Sequence, residues 1–285
     1  MPITIPEAMD DAGALATTKV AASRSLPRYL LSSALAGAFV GVAVVLLASV
    51  SGPLLAVESP WTKLVQGVVF GIALTLVVFA GAELFTGNVM VVVQGLVARR
   101  IRAVEAAAVL VASLIGNFVG SVGFAALVHG GGSLTGPGAD LVAKAVAAKD
   151  ALTGPQLLWR SILCNLLVCL ALWMASRTRS DGAKLAVLWW ALLAFIASGF
   201  EHSVANMTLF SLGVFEGSAT WGQLARNLSW TVPGNMIGGG VLVGLAYAWI
   251  ASPTTQPVPV RGSVALAADP HTGTDLVPQA AGTRR

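Results

Sequence analysis

Long apolar runs, rather than an alternation of polar and apolar positions, set the rhythm of this chain. They fall at roughly residues 29–51, 61–98, 103–129, 155–176, 183–215 and 229–252. A hydrocarbon core about 30 Å thick takes about 20 apolar residues as α-helix, so every run can reach across it. The pattern predicts an all-α integral membrane protein of six transmembrane helices, with 29–252 as one domain. Residues 1–28 precede it as an N-terminal segment. Residues 253–285, with prolines and much Gly, Thr and Ala but no periodicity, read as a disordered tail.

The second and fifth runs are too long for one uninterrupted span. The second is broken by Gly81-Ala82-Glu83-Leu84-Phe85-Thr86-Gly87-Asn88, the fifth by Ser198-Gly199-Phe200-Glu201-His202-Ser203-Val204-Ala205-Asn206. A shift of 118 residues carries Gly81 to Gly199, Glu83 to Glu201, Asn88 to Asn206, Gly116-Asn117 to Gly234-Asn235 and Gly120 to Gly238. Glu and Asn are scarce at membrane depth, so their coincidence in one register marks an internal repeat. Each copy holds three spans, an odd number, and the second copy is therefore expected to be inverted relative to the first. Inverted repeats with paired broken helices place transport sites near the bilayer midplane. Backbone groups freed at a break cost several kcal/mol each in hydrocarbon unless protein or water satisfies them. The breaks must line a cavity or be buried in protein, and the half-helix N-termini beside them favour an anion.

Composition agrees with burial in lipid: 56% of residues are hydrophobic, 11% are charged, and the mean hydropathy is +0.80. The net charge of +4 could suggest a nucleic-acid partner, but the Lys and Arg residues stand singly at the ends of apolar runs. Lys19, Arg24 and Arg28, then Arg99, Arg100 and Arg102, then Arg177, Arg179 and Lys184, and Arg261 fall on one side if the six runs alternate. Lys63, Lys144, Lys149 and Arg226 fall on the other. The positive-inside rule then makes both termini cytoplasmic. Glu7, Asp10 and Asp11 precede the first apolar run, the wrong start for a cleavable signal peptide, so the first span is expected to be retained. Cys164 and Cys169 stand five apart in one run, which suits packing rather than a disulfide, and no Cys/His cluster suggests a metal.

His202 is the one histidine inside a span, and an ionisable group at that depth points to function. Haem ligation across a membrane takes an axial pair, so no redox cofactor is expected. Glu83 and Glu201 occupy equivalent repeat positions. They are expected to support their loops by accepting hydrogen bonds from exposed backbone N–H groups. Asn88, Asn206, Asn117 and Asn235 suit capping and interhelical hydrogen bonds. Gly37/Gly41, Gly67/Gly71, Gly116/Gly120 and Gly240/Gly244 have the small-residue spacing of close helix crossings. His129-Gly130-Gly131-Gly132 lacks the nucleophile elbow of an esterase and reads as a flexible connection. An intramembrane enzyme using His202 and Glu201 is disfavoured because adjacent residues on a helix point about 100° apart. A plain scaffold would not need two matched breaks.

Glu83-Leu84-Phe85-Thr86-Gly87 and Gly199-Phe200-Glu201-His202-Ser203-Val204-Ala205-Asn206-Met207 resemble the two signatures of the formate/nitrite transporter family. The likeness spans about 29–252. Cys164-Asn165-Leu166-Leu167-Val168-Cys169-Leu170-Ala171-Leu172-Trp173-Met174 and the stretch from Leu192 to Phe210 are most similar to its nitrite-channel branch. The resemblance implies a homopentamer with an aquaporin-like pore in each protomer; a bacterial inner membrane and no cofactor are expected beside it. It implies an outer constriction of Phe70, Phe85 and Phe195 and an inner one of Leu74, Leu84 and His202. Thr86 would touch the anion opposite His202, with Asn165 and Asn206 hydrogen-bonding nearby. A vestibule lysine, Lys149 or Lys144 in its place, would attract anions. Asn88 stands where the nitrite branch often has His, which leaves formate and hydrosulfide open beside nitrite. The expected mechanism is entry of the anion, hydrogen bonding to Thr86 and His202, and a proton relayed through His202, with passage as the neutral acid or as an anion paired with imidazolium; channel and proton-coupled transport both stay open.

Overall fold

The computed structural model describes residues 2–252; the expected disordered tail lies outside the described residues. Every described element is helical. The N-terminal segment, to which the apolar runs assign no element, is helical: α1 (Ile5–Ser23) starts at Thr4, whose hydroxyl accepts the Glu7 N–H, with a proline in its first turn. Its Ala8, Ala12 and Ala16 recur every fourth residue and form a small-residue face buried in the fold. Hydropathy alone misses this helix because alanines and acidic residues do not make a 20-residue apolar run.

α2 (Leu26–Ala56) is followed by α3 (Thr62–Phe70) and α4 (Ile72–Ala80), then α5 (Phe85–Val97) and α6 (Ala103–Gly130). α7 (Pro137–Asp150) is a second helix outside the expected spans, followed by α8 (Gly154–Ser176), α9 (Asp181–Ala197) and α10 (Ser203–Phe215). The chain continues through α11 (Trp221–Met236), a π-helical stretch at Ile237–Leu245, and α12 (Ala246–Ala251). Capping boxes of Thr153 with Gln156 and Thr220 with Gln223 start α8 and α11, the latter well before its apolar portion.

Five stretches are long and apolar enough to cross a membrane: Leu26–Ala56, Thr62–Ala80, Ala103–Gly130, Gly154–Ser176 and Trp221–Ala251. The fifth apolar run instead appears as α9, of 17 residues, and α10, of 13. The core is largely apolar, but the surface departs from that of a water-soluble protein. Leu31, Leu127 and Ile250 are exposed, as are Trp61, Trp159, Trp190 and Trp249, while Ser33, Asn117, Ser161, Asn165 and Asn235 are fully buried. An apolar surface over buried, hydrogen-bonding polar groups suits a lipid solvent.

Both helix breaks occur where the sequence places them. α4 ends at Gly81 with φ 76°, and α9 runs out just before Gly199 with φ 73°, a left-handed conformation open to glycine at little cost. The helices after the breaks, α5 and α10, correspond residue for residue under the 118-residue shift. α6 packs on α2 and α11 on α8, and a Cβ at Gly120 or Gly238 would run into the carbonyl of Ala34 or Ile162 respectively. Gly120→Ala is therefore expected to force α2 and α6 apart and cost about 1–3 kcal/mol, the usual range for overpacking. Gly123→Ala, on the same helix with open space around its Cβ, is the control. Melting in detergent should show a large drop for the first and none for the second.

Candidate transport pathway

The two breaks are braced by two asparagines. The Asn117 side chain accepts the Phe85 N–H (2.8 Å) and donates to the carbonyls of Ser33 (2.7 Å) and Glu83 (2.9 Å). Asn235 repeats this: it accepts the Ser203 N–H (2.9 Å) and donates to the carbonyls of Ser161 (2.8 Å) and Glu201 (3.1 Å). The freed backbone groups are thus satisfied inside protein, as hydrocarbon requires.

The glutamates do something other than the sequence suggests. Neither Glu83 nor Glu201 receives a backbone N–H on its carboxylate among the described residues. Each faces a lysine and an asparagine instead. Glu83 Oε2 meets Lys19 Nζ at 2.7 Å, the Asn88 amide at 3.0 Å and the Tyr29 hydroxyl at 3.2 Å. Glu201 meets Lys149 Nζ at 2.8 Å through Oε1 and the Asn206 amide at 2.7 Å through Oε2. A carboxylate at this depth needs a countercharge, whereas neutral N–H groups are satisfied by a neutral amide. Asn206 also donates to Asn227 Oδ1 (2.8 Å), so its amide holds the glutamate in place.

Lys19 is the residue that sequence reasoning missed as part of the site. It occupies on α1 the role that Lys149 has on α7, but the two are 130 residues apart, so the 118-residue register that finds the glutamates does not find the lysines. Of the two lysines considered for the vestibule, Lys149 lines a cavity beside Glu201, while Lys144 is exposed and lines none of the three described cavities.

Those cavities lie in series. One of 540 Å³, walled by α1, includes Lys19, Glu83, Leu84 and Asn88. Another of 290 Å³ includes Lys149, Glu201, Asn206, Phe70, Phe195 and His202. Between them a void of only 10 Å³ is bounded by Phe70, Leu74, Leu84, Phe195 and His202 among others, room for about one water. Phe70 and Phe195 meet edge to face with centroids 5.6 Å apart, and Phe195 stacks on His202 at 5.9 Å. Phe85 is buried but lines none of these cavities.

At this neck the repeat stops being symmetric. Leu84 is the N-cap of α5 and His202 the N-cap of α10, and both line the void, so two helix N-termini adjoin it. His202 Nδ1 accepts the Ala205 N–H at 3.1 Å. That bond occupies the Nδ1 lone pair and leaves the ring proton on Nε2. Nε2 lies 3.1 Å from Thr86 Oγ1, whose repeat equivalent is Val204. Thr86 is held in turn through its carbonyl, which accepts from the Asn165 amide (3.1 Å) and the Cys169 thiol (3.3 Å). Asn165 is fully buried and lines none of the three cavities; it positions Thr86 from behind.

A family model described as formate/nitrite transporter matches residues 6–249. The chain belongs to that family. The match begins within α1, so membership extends to the N-terminal side of Tyr29, where the sequence signatures suggested that it starts. The nitrite transporter NirC of Salmonella typhimurium is 44% identical over 239 residues, covering 82% of this chain and 87% of the relative. A solved structure described as an FNT family ion channel superposes with a TM-score of 0.80 at 42% identity, covering 87% of this chain and 99% of that one. A second, described as a pentameric formate channel with formate bound, gives a TM-score of 0.69 at 27% identity, covering 80% and 98%. As a formate/nitrite transporter family member, the chain brings together Thr86 and His202 in direct contact and Lys149, Glu201 and Asn206 in one network. Phe70, Leu74, Leu84 and Phe195 surround the neck.

Proposed function

We propose that this chain carries a small monovalent anion, nitrite foremost, across a bacterial inner membrane through a pore within each protomer of a homopentamer. The observation that carries the reading is the neck, lined by Phe70, Phe195 and His202 beside two helix N-termini, with the fully buried Thr86 hydroxyl 3.1 Å behind it on His202 Nε2. The similarity to a nitrite transporter supports the choice of anion, and the similarity to a pentameric formate channel supports the assembly and keeps formate as the alternative substrate. The reading takes α3 to α5 as one broken span and α9 to α10 as the other, giving six. The second three-span repeat is inverted on the first, as in an aquaporin-like protomer, and both termini are cytoplasmic. Glu201 engages its carboxylate with Lys149 and Asn206, which disfavours it as a base partner of His202 in an enzyme.

In this mechanism the anion enters the vestibule lined by Lys149 and exchanges water for the Nε2–H of His202, which turns from the Thr86 hydroxyl behind it. A bare ion in so narrow a neck loses hydration worth several kcal/mol, and protonation removes that cost. The acid form therefore crosses. Because Nδ1 is occupied by the Ala205 N–H, a relay through His202 requires a second proton to displace that bond, which couples proton uptake to uncapping of α10. Purified protein in proteoliposomes, given nitrite, formate and hydrosulfide side by side with a proton gradient, tests the reading. Nitrite uptake well above empty liposomes, rising as the outside is acidified, is expected; equal leakage of all three in protein and control vesicles would overturn it.

A further inference from the structure

The larger vestibule, walled by α1, holds polar groups that the mechanism above leaves unused. Gln94 on α5 lines it with a fully buried side chain, and neither its Nε2 nor its Oε1 has a hydrogen-bond partner among the described residues. Trp173 on α8 lines the same cavity, is equally buried, and has an unpartnered indole N–H. An orphaned buried donor or acceptor carries its full desolvation penalty, so a pair of such groups in one cavity is costly to keep.

The fold does not require the amide. The 118-residue shift carries Gln94 to Leu212, a buried leucine at the same place on α10. A leucine-sized apolar side chain therefore suffices for packing in the other copy, and the amide on α5 departs from the repeat as Thr86 and His202 do.

The charges around the cavity indicate what it takes. Its two lysines are both engaged, Lys19 with Glu83 at 2.7 Å and Lys184 with Asp181 at 3.1 Å, and Asp11 adds a negative charge to the lining. The lining thus offers no surplus positive charge to a free anion. A primary amide presents one N–H donor and one carbonyl acceptor side by side, which matches the O=X–O–H edge of an undissociated monobasic acid. The indole N–H supplies a further donor, with no acceptor, to the acid's oxo oxygen.

We infer that Gln94 and Trp173 form a docking site for the undissociated acid form of the substrate, such as nitrous or formic acid, in the α1-side vestibule. This rests on the transport reading above and adds the step on the far side of the neck. The acid emerging past Leu84 pairs with the Gln94 amide before it gives up its proton to water.

Nitrite and formate flux in right-side-out and inside-out membrane vesicles, together with melting of the purified protein, tests this. Gln94→Leu should melt at or above the wild-type temperature, because it removes orphaned polar atoms. It should raise the half-saturating nitrite concentration from the α1 side about five- to tenfold, the worth of roughly one hydrogen bond, and change it less than twofold from the other side. Trp173→Phe, which removes the indole N–H and retains an aromatic ring, should shift it in the same direction and serves if Gln94→Leu does not fold. Unchanged half-saturation on the α1 side in a folded variant would overturn the site, as would an equal loss from both sides accompanied by a lower melting temperature. Wild-type vesicles without nitrite or formate flux would overturn the transport reading itself, and the site with it.

Discussion

Lys149→Ala is expected to cut nitrite flux at least tenfold, and the loss should persist at high salt. From the sequence alone, Lys149 is a steering charge at a vestibule, and its effect should vanish as ionic strength rises. The structure changes that forecast. Lys149 Nζ sits 2.8 Å from Glu201, whose side chain is 3% exposed, so alanine leaves a buried carboxylate uncompensated beside the neck. Breaking one side of such a pair typically costs about 3–5 kcal/mol, and the remaining negative charge opposes an entering anion at a depth that salt screens poorly. Adding Glu201→Gln to Lys149→Ala removes that charge and should restore much of the flux. Lys144→Ala, on the exposed face of α7, should do little at any salt. Flux of Lys149→Ala returning to wild type at high salt would show that net charge, and not the buried pair, is what Lys149 provides.

His202→Asn is expected to leave the fold intact and lower flux by roughly a hundredfold, with loss of its dependence on pH. Asparagine is among the best N-cap residues, and its carbonyl can take over the Ala205 N–H that His202 Nδ1 now accepts at 3.1 Å. What it cannot supply is a donor at the position of Nε2, 3.1 Å from Thr86, or a site for a second proton. Removing one preorganised donor from a water-poor site typically costs about 10²–10³ in rate. The substitution therefore separates the bracing role of the ring from its role toward the anion. If a folded His202→Asn protein kept the wild-type rate and pH profile, His202 would be a cap and nothing more. Discrimination would then rest on Thr86 and the two helix N-termini.

How far the sequence reaches can be read from particular residues. Apolar runs located the membrane-length helices because lipid imposes a local rule: enough consecutive apolar residues, whatever they later touch. The breaks were legible for the same reason, since Gly81 and Gly199 turn the chain through their own φ angles. The pairing of Glu83 with Glu201 and of Asn117 with Asn235 was legible because the repeat preserves spacing. α1 and α7 were not, since their apolar residues are mostly alanines interrupted by charges, and such helices are stabilised by what they pack against, which hydropathy does not see. The partners of the glutamates were not legible either. Lys19 and Lys149 reach them across 64 and 52 residues, on helices whose connections differ in length between the two copies. Which lysine faces the vestibule, which ring nitrogen of His202 carries the proton, and that Gln94 has no partner among the described residues are all set by contacts between distant segments. Hydropathy, spacing and repeat register are properties of the chain near each residue; countercharges and orphaned donors exist only once the chain has folded back on itself.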